Sequence, residues 1–166
     1  MFILYYGGQK SGKSKLAEKK TLELANKNNK KPYYIATYDN SYFDLEMKKR
    51  VDIHKKQRKN NFKTIEERYD LSKVIQKGET YLIDCLSMWI LNSLDKEEKF
   101  FYKQIKKLKK IDVNIIFVLN DVNNGVIPLD KLSRKFVDLS GVIGQKIAKV
   151  CDEIYDVKLG IASKIK

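Results

Sequence analysis

Met1-Phe2-Ile3-Leu4-Tyr5-Tyr6-Gly7-Gly8-Gln9-Lys10-Ser11-Gly12-Lys13-Ser14 opens the chain, and its reading decides the fold. Phe2–Tyr6 is a short apolar run that stops at two glycines, as a buried strand does. Gly7-x-x-x-x-Gly12-Lys13-Ser14 then meets the P-loop pattern in full. The glycines let the backbone curl so that successive N–H groups, from Gly7 and Gly8 through Gln9, Lys10 and Ser11, face a β-phosphate. The helix that follows adds the positive end of its dipole. Lys13 supplies a point charge to the β and γ phosphates, and the Ser14 hydroxyl is a ligand for Mg²⁺. The same string also occurs as a plain glycine-rich turn, but a strand before it and a helix after it mark a nucleotide site.

Outward from this stretch, strands and helices alternate. Lys13 to about Asn26 reads as a helix, with Leu16, Ala17 and Leu24 among polar residues, and it ends in the breaker-rich segment Asn26–Pro32. Tyr33–Thr37 is a second β-rich run, and a helix is predicted from about Tyr42 to Lys59. Phe62–Glu66 reads as a short strand, and Leu71–Gln76 as a short helix capped by Asp70. Tyr81–Asp84 is a third buried strand, followed by a helix carrying Trp89 and a second over Glu97–Lys110. Ile115–Leu119 is the most apolar strand. A helix is predicted from about Leu129 to Val150, and Ile154–Val157 and Lys164–Lys166 are candidate edge strands. The alternation argues for an α/β fold with a mainly parallel sheet and helices on both faces. A P-loop also needs an acid at the end of a neighbouring strand to hold the metal or its water. Asp84 is the best placed, with Asp44 and Glu46 as alternatives; an acid at a strand end can also be a simple helix cap.

At 166 residues the chain fits one domain spanning 1–166, large enough to build a core without staples. Its 43% apolar and 33% charged residues suit a soluble globular protein, and no apolar run approaches the ~18 residues of a membrane span. With no basic region ahead of it, Phe2–Tyr6 is read as a strand and not a signal peptide. Cys85 and Cys151 lack metal-ligand spacing, so a reduced, cytoplasmic protein is expected. The net charge of +13 raises the possibility of a nucleic-acid partner. It comes from 30 Lys and only 4 Arg, scattered over nearly every segment. Arg is the residue suited to fork-like phosphate recognition, so the charge reads as a solvated surface that helps attract anionic nucleotides, with no nucleic-acid partner.

His54 is the single histidine. At ~100° per residue, Phe43, Met47, Arg50, Val51, His54 and Arg58 share one sector of the predicted helix. Lys48, Lys49, Asp52, Lys55, Lys56 and Lys59 lie opposite. His54 thus turns the same way as the apolar residues, beside two of the four arginines. Two guanidinium groups on an inward face call for an anion, which a nucleotide phosphate or a carboxylate such as Glu46 would supply. Nearby positive charge also favours neutral imidazole, the form able to act as a nucleophile.

Taken in order, these blocks resemble the bifunctional adenosylcobinamide kinase / adenosylcobinamide-phosphate guanylyltransferases of cobalamin biosynthesis. The matching residues are Gly7–Ser14 with Ala17-Glu18; Tyr34-Ile35-Ala36-Thr37; Glu46-Met47 through Arg50-Val51-x-x-His54-x-x-x-Arg58; Thr64-x-Glu66; and Leu82-Ile83-Asp84-Cys85-Leu86-Ser87 with Trp89 and Asn92. Asn120-Asp121-Val122, Gly125–Pro128, Arg134-x-Phe136-x-Asp138-x-x-Gly141 with Gln145, and Lys164-Ile165-Lys166 complete the series. The resemblance implies a P-loop NTPase domain of the recombinase-ATPase type, assembled as a homo-oligomer, a trimer. It implies that ATP or GTP phosphorylates the aminopropanol hydroxyl of adenosylcobinamide, and that GTP then passes GMP to the new phosphate through a guanylylated histidine, giving adenosylcobinamide-GDP.

That histidine maps onto His54. Lys13, Ser14, Asp84 and Mg²⁺ would handle the phosphates, with Thr37, Arg58 and Glu66 matching further nucleotide-site positions. Mg²⁺ and the nucleotide substrates are expected, and no tightly bound organic cofactor. The chain departs from the family where Asn-Glu-Val-Gly becomes Asn120-Asp121-Val122-Asn123 and Asn-Gln becomes Gly144-Gln145. Phe62 replaces a usual tryptophan and Lys59 a usual proline. Alternative readings are a small-molecule kinase without guanylyl transfer, a nucleic-acid-stimulated ATPase, and a nucleotide-binding module without catalysis.

Overall fold

The computed structural model describes residues 1–38 and 60–166. The strands are β1 (Phe2–Gly7), β2 (Tyr33–Ala36), β3 (Lys63–Glu66), β4 (Thr80–Asp84), β5 (Asn114–Asn120), β6 (Glu153–Lys158) and β7 (Ile161–Lys164). They form one sheet in the order β3-β2-β4-β5-β1-β6-β7, with every described pairing parallel except the β6–β7 hairpin. The described helices are α1 (Lys13–Asn26), α2 (Leu86–Asn92), α3 (Glu98–Lys109) and α4 (Lys131–Val150). The mainly parallel α/β sheet expected from the alternation is therefore present. The helix expected near Tyr42–Lys59 lies outside the described residues.

Two expectations shift. Leu71–Gln76 is not a helix of that length but a 3₁₀ turn over Leu71–Lys73. Asp70 does cap it, its carboxylate accepting from the Ser72 N–H at 3.1 Å. The turn stops because the Gln76 N–H donates to the Tyr81 hydroxyl, drawing the chain back toward β4. The last strand is Ile161–Lys164 and not Lys164–Lys166: a two-residue turn pairs Lys158 with Ile161 and so fixes the register. Beyond it, the Lys166 backbone still bonds to Ile154, and its ammonium donates to Cys151 O at 2.6 Å.

Alternation along β1 sends Phe2 and Leu4 to one face and Ile3 and Tyr5 to the other. The first face packs with Ile83, Ile115 and Phe117 against Trp89, Phe101, Ile105, Ile143 and Ile147 of α2, α3 and α4. The second packs with Leu82, Ile116, Val118 and Val157 around Ala17 of α1. Trp89 is wholly buried, edge-on to Phe101 at 4.9 Å. Its indole N–H donates to Tyr69 O at 2.9 Å, and that carbonyl also accepts from Gln104 at 2.8 Å. The buried Gln104 in turn accepts from the Leu71 N–H. Its amide therefore ties the 3₁₀ turn to α3 without an unpaired group.

Carboxylates fasten several ends of the fold. Asp152 accepts from the Phe2 N–H at 2.7 Å and lies 3.6 Å from Lys109. Its carboxyl is held below the ordinary range, first by that backbone bond and then by Lys109 against the upward push of burial. Glu153 is likewise lowered, by the Tyr155 hydroxyl first and by Lys164 and Lys20. Asp130 is lowered by the Ser133 bonds that cap α4.

Replacing Trp89 by alanine should lower the free energy of unfolding by about 3–5 kcal/mol, measured by urea titration with far-UV circular dichroism. Trp89→Phe should lose less, because a phenyl ring keeps an edge contact with Phe101 and leaves a smaller cavity. The depressed carboxyls bind fewer protons folded than unfolded. Their stabilisation is thus present above the ordinary carboxylate range and is lost as pH falls through the folded values. Urea midpoints measured from about pH 6 to about pH 3 should decline, and Asp152→Asn should make that decline shallower.

Candidate active site

Parallel strands bring their carboxyl ends to one edge, where ligands bind in open α/β sheets. The register aligns Gly7 with Asn120, Asp84 with Val118, and Ala36 with both Asp84 and Glu66. At ~4.8 Å per strand, the end of β4 lies roughly 10 Å from the end of β1, that of β2 roughly 14 Å, and that of β3 roughly 19 Å. Asp84 therefore stands two strands from the phosphate loop, Thr37 three, and Glu66 four.

The loop between β1 and α1 turns at Lys10 (φ 56°) and at Gly12 (φ 96°), which caps α1 in the left-handed region. A side chain at Gly12 would be disfavoured on that φ alone. No side chain caps α1 and no acid occupies its first turn, so its amino end is left for an outside anion. Lys13 is only 5% exposed, with its ammonium donating to Gly8 O at 2.8 Å. Burial lowers its pKa, opposed by the Cys85 sulfur where it is ionised and by the Asp84 carboxylate. Burial, followed by the nearby Asp84 charge, pushes the Cys85 thiol up to about 11. It is neutral at ordinary pH, so among the described residues the Asp84 carboxylate supplies the negative charge acting on Lys13. The Ser11 hydroxyl is buried without a partner among the described residues and lies close to Gly7.

Ser14, half-buried in the first turn of α1, and Asp84 offer a hydroxyl and a carboxylate. That pair suits Mg²⁺, which takes few protein oxygens and completes its shell with water and phosphate. Among the described residues no cluster of three or more His, Cys, Asp or Glu could hold a metal by itself, so the loop and its nucleotide would have to supply the remaining ligands. Thr37 is fully buried, and its hydroxyl donates to Cys85 O at 2.8 Å while its own carbonyl accepts from Asn92 at 2.7 Å. It joins the ends of β2 and β4 beneath the site instead of offering a free hydroxyl to it. Glu66 is exposed at the end of β3. His54, Arg58, Asp44 and Glu46 lie outside the described residues.

Asn120 and Asp121 extend the edge beside the loop. The Asn120 N–H donates to the buried Ser87 hydroxyl at 3.1 Å, and its side-chain amide lies 3.9 Å from the Cys85 sulfur. The Asp121 N–H donates to Gly7 O, and the Tyr6 hydroxyl donates to the Asp121 carboxylate at 2.6 Å. Burial pushes the Asp121 carboxyl up, but Tyr6, Asn123 and Asn124 outweigh it and hold it below the ordinary range. Reading the sequence identified Asn120-Asp121 as a block but missed Tyr6 as its partner, since one tyrosine in an apolar run gives no signal of its own. It also missed the β6–β7 turn against the loop, where the backbone N–H of Gly160 donates to Ser11 O at 2.8 Å. The adjoining segment after β5 exposes Val126, Ile127 and Leu129. A cleft of about 730 Å³ runs between Asp95–Glu98 and the first turns of α4, and a smaller one of about 120 Å³ lies under Val122–Pro128. Arg134 and Asp138 line both.

The sequence profile of the family described as cobinamide kinase / cobinamide phosphate guanyltransferase matches residues 3–165. A Pseudomonas aeruginosa protein named bifunctional adenosylcobalamin biosynthesis protein CobP is 33% identical, with 98% of this chain and 96% of that protein aligned. The Escherichia coli K12 protein named bifunctional adenosylcobalamin biosynthesis protein CobU is 29% identical over 100% of both. Among solved structures, flagellar accessory protein FlaH from Methanocaldococcus jannaschii matches with a TM-score of 0.53 at 15% identity, over 99% of this chain and 77% of that one. A Pyrococcus horikoshii OT3 protein matches at 0.53 and 13% identity, over 99% and 85%. At such identities the structural likeness speaks for the α/β P-loop fold alone. The profile spans nearly the whole length, and together with a relative one-third identical it makes this chain a member of the cobinamide kinase / cobinamide phosphate guanyltransferase family, and thus a transferase.

Proposed function

We propose that the protein phosphorylates adenosylcobinamide with ATP or GTP and then converts the product to adenosylcobinamide-GDP through a guanylylated His54. Family membership supports the pair of activities. The observation that carries the site is the buried Lys13 ammonium beside an uncapped helix end, opposite Asp84. In the kinase step, the loop N–H groups and Lys13 hold the β and γ phosphates while the substrate hydroxyl oxygen attacks the γ-phosphorus. The bond to the β-bridging oxygen breaks and the hydroxyl proton leaves to solvent. Mg²⁺, held by Ser14 and Asp84, would neutralise phosphate charge when bound.

In the second step a ring nitrogen of His54 attacks the α-phosphorus of GTP, pyrophosphate departs, and a phosphoramidate forms. A phosphate oxygen of the corrinoid then attacks that phosphorus and releases the imidazole. Arg58 and Glu66 are assigned to the guanine nucleotide. Thr37 acts from below by fixing the ends of β2 and β4. The working form is a homo-oligomer, a proposal that the exposed Val126, Ile127 and Leu129 support.

Incubation with α-labelled GTP and Mg²⁺ should give the wild-type protein an acid-labile label, localised by mass spectrometry as a GMP adduct on His54. His54→Ala should remain unlabelled yet bind GTP within about threefold of wild type; equal labelling of the variant would overturn the histidine assignment. Lys13→Ala should lower kcat for corrinoid phosphorylation by about 10²-fold or more, the scale expected on removing one preorganised charge from the transferring phosphate. Unchanged phosphorylation in that variant would remove the loop from the kinase step.

A further inference from the structure

The phosphate loop has an outer wall that its motif does not include. At its start, a Cβ on Gly7 would lie 2.4 Å from Val157 O, so β6 runs directly against that residue. At its end, a Cβ on Gly12 would lie 3.1 Å from the Gly160 Cα. Between these approaches the Gly160 N–H donates to Ser11 O at 2.8 Å. Leu159 and Gly160, at φ 51° and 80°, form the two-residue turn between the paired residues Lys158 and Ile161. Two consecutive positive φ values mark a type I′ turn. In such a turn the ladder bonds belong to the flanking pair, which leaves the Gly160 N–H for another acceptor. Leu159 holds its left-handed conformation although 96% exposed, where no packing compensates a conformation that leucine disfavours.

We propose that Gly160 is a positioning residue of the nucleotide site: the tip of the β6–β7 hairpin holds Ser11 O outward, so that the loop keeps its open curve before a nucleotide arrives. A loop already curved loses less freedom on binding, and the gain appears as affinity for the phosphates. With its carbonyl turned toward Gly160, Ser11 is held with that oxygen away from an incoming anion. The inference rests on the reading of residues 7–14 as the phosphate site.

The test is titration of α,β-methylene-GTP, whose α–β bridge His54 cannot cleave, with Mg²⁺ into the full chain by calorimetry, alongside thermal unfolding without nucleotide. Gly160→Val cannot hold positive φ and should bind about tenfold more weakly, the scale of one hydrogen bond lost. Its unliganded midpoint should fall by only about 2–6 °C. Gly160→Asn tolerates the left-handed region and keeps the N–H, so it should stay within about threefold of wild type. Wild-type affinity in Gly160→Val would overturn the proposal, as would equal loss in both variants. Lys13→Ala in the same titration separates the two readings: if it abolishes binding while Gly160→Val does not weaken it, the loop stands and the clamp falls. Should Gly160→Val fail to fold, joining a synthetic 151–166 peptide at Cys151 allows the Gly160 amide to be replaced by an ester. Affinity within twofold of the all-amide ligated protein would likewise overturn the clamp.

Discussion

Burying the Lys13 ammonium is the constraint around which the carboxyl edge is organised. An ammonium removed from water favours its neutral form unless acceptors and negative charge surround it. Gly8 O supplies one acceptor at 2.8 Å, and Asp84, two strands away, supplies the charge. That arrangement needs β1 inside the sheet, with β5 on one side and β6 on the other, and β4 beyond β5. It also needs the floor beneath Asp84 to be rigid. Thr37, Asn92 and Ser87 provide that floor through side-chain bonds to the backbone of Cys85, Thr37 and Asn120. A polyanion bound at the loop would complete a charge balance that the protein alone leaves partly open.

Close backbone approach is the second requirement, and it explains the glycines better than flexibility does. Gly7 must lack a Cβ because Val157 O lies where that atom would be. Gly12 needs both space beside Gly160 and a positive φ. Along this loop, then, the motif's glycines answer to the neighbouring hairpin as well as to the phosphate. Packing and function constrain the same atoms, so a substitution at Gly7 would disturb strand β6 and the ligand site together.

The sequence disclosed the fold well where signals were local and redundant. An apolar strand, a glycine turn and an amphipathic helix at 2–26 were legible because each pattern has one common physical solution. The sheet itself followed from alternation, and Asp84 from its place at a strand end. What escaped depends on contacts between distant segments. Tyr6 meets Asp121 across 115 positions and Thr37 meets Cys85 across 48; no periodicity encodes either. The 3₁₀ turn at 71–73 was overextended because the Tyr81 hydroxyl, five residues beyond Gln76, captures the N–H that a helix would have used. The edge strand was placed three residues late because Leu159-Gly160 is a weak turn signal beside Asn-Gly or Asp-Gly.

Asp121, Asn123 and Gly144 sit together where β5 meets α4, and each is matched by a neighbour. Asp121 is reached by the Tyr6 hydroxyl, and its N–H donates to Gly7 O. Asn123 lays its amide against Gly141, where a Cβ would be 2.9 Å away, and donates to Val137 O. At Gly144 a Cβ would stand 3.2 Å from Leu119 Cδ2, so any side chain there would require that leucine's tip to give way by a few tenths of an ångström. On this flank each of these residues is fitted to a neighbour on another element. On the other flank lie the phosphate loop and Asp84. The two flanks meet at the ends of β1, β4 and β5, through the Asp121 N–H on Gly7 O, the Tyr6 hydroxyl on the Asp121 carboxylate and the Asn120 N–H on the Ser87 hydroxyl. The position of the loop is thus tied to the β5–α4 flank by backbone and side-chain bonds alike.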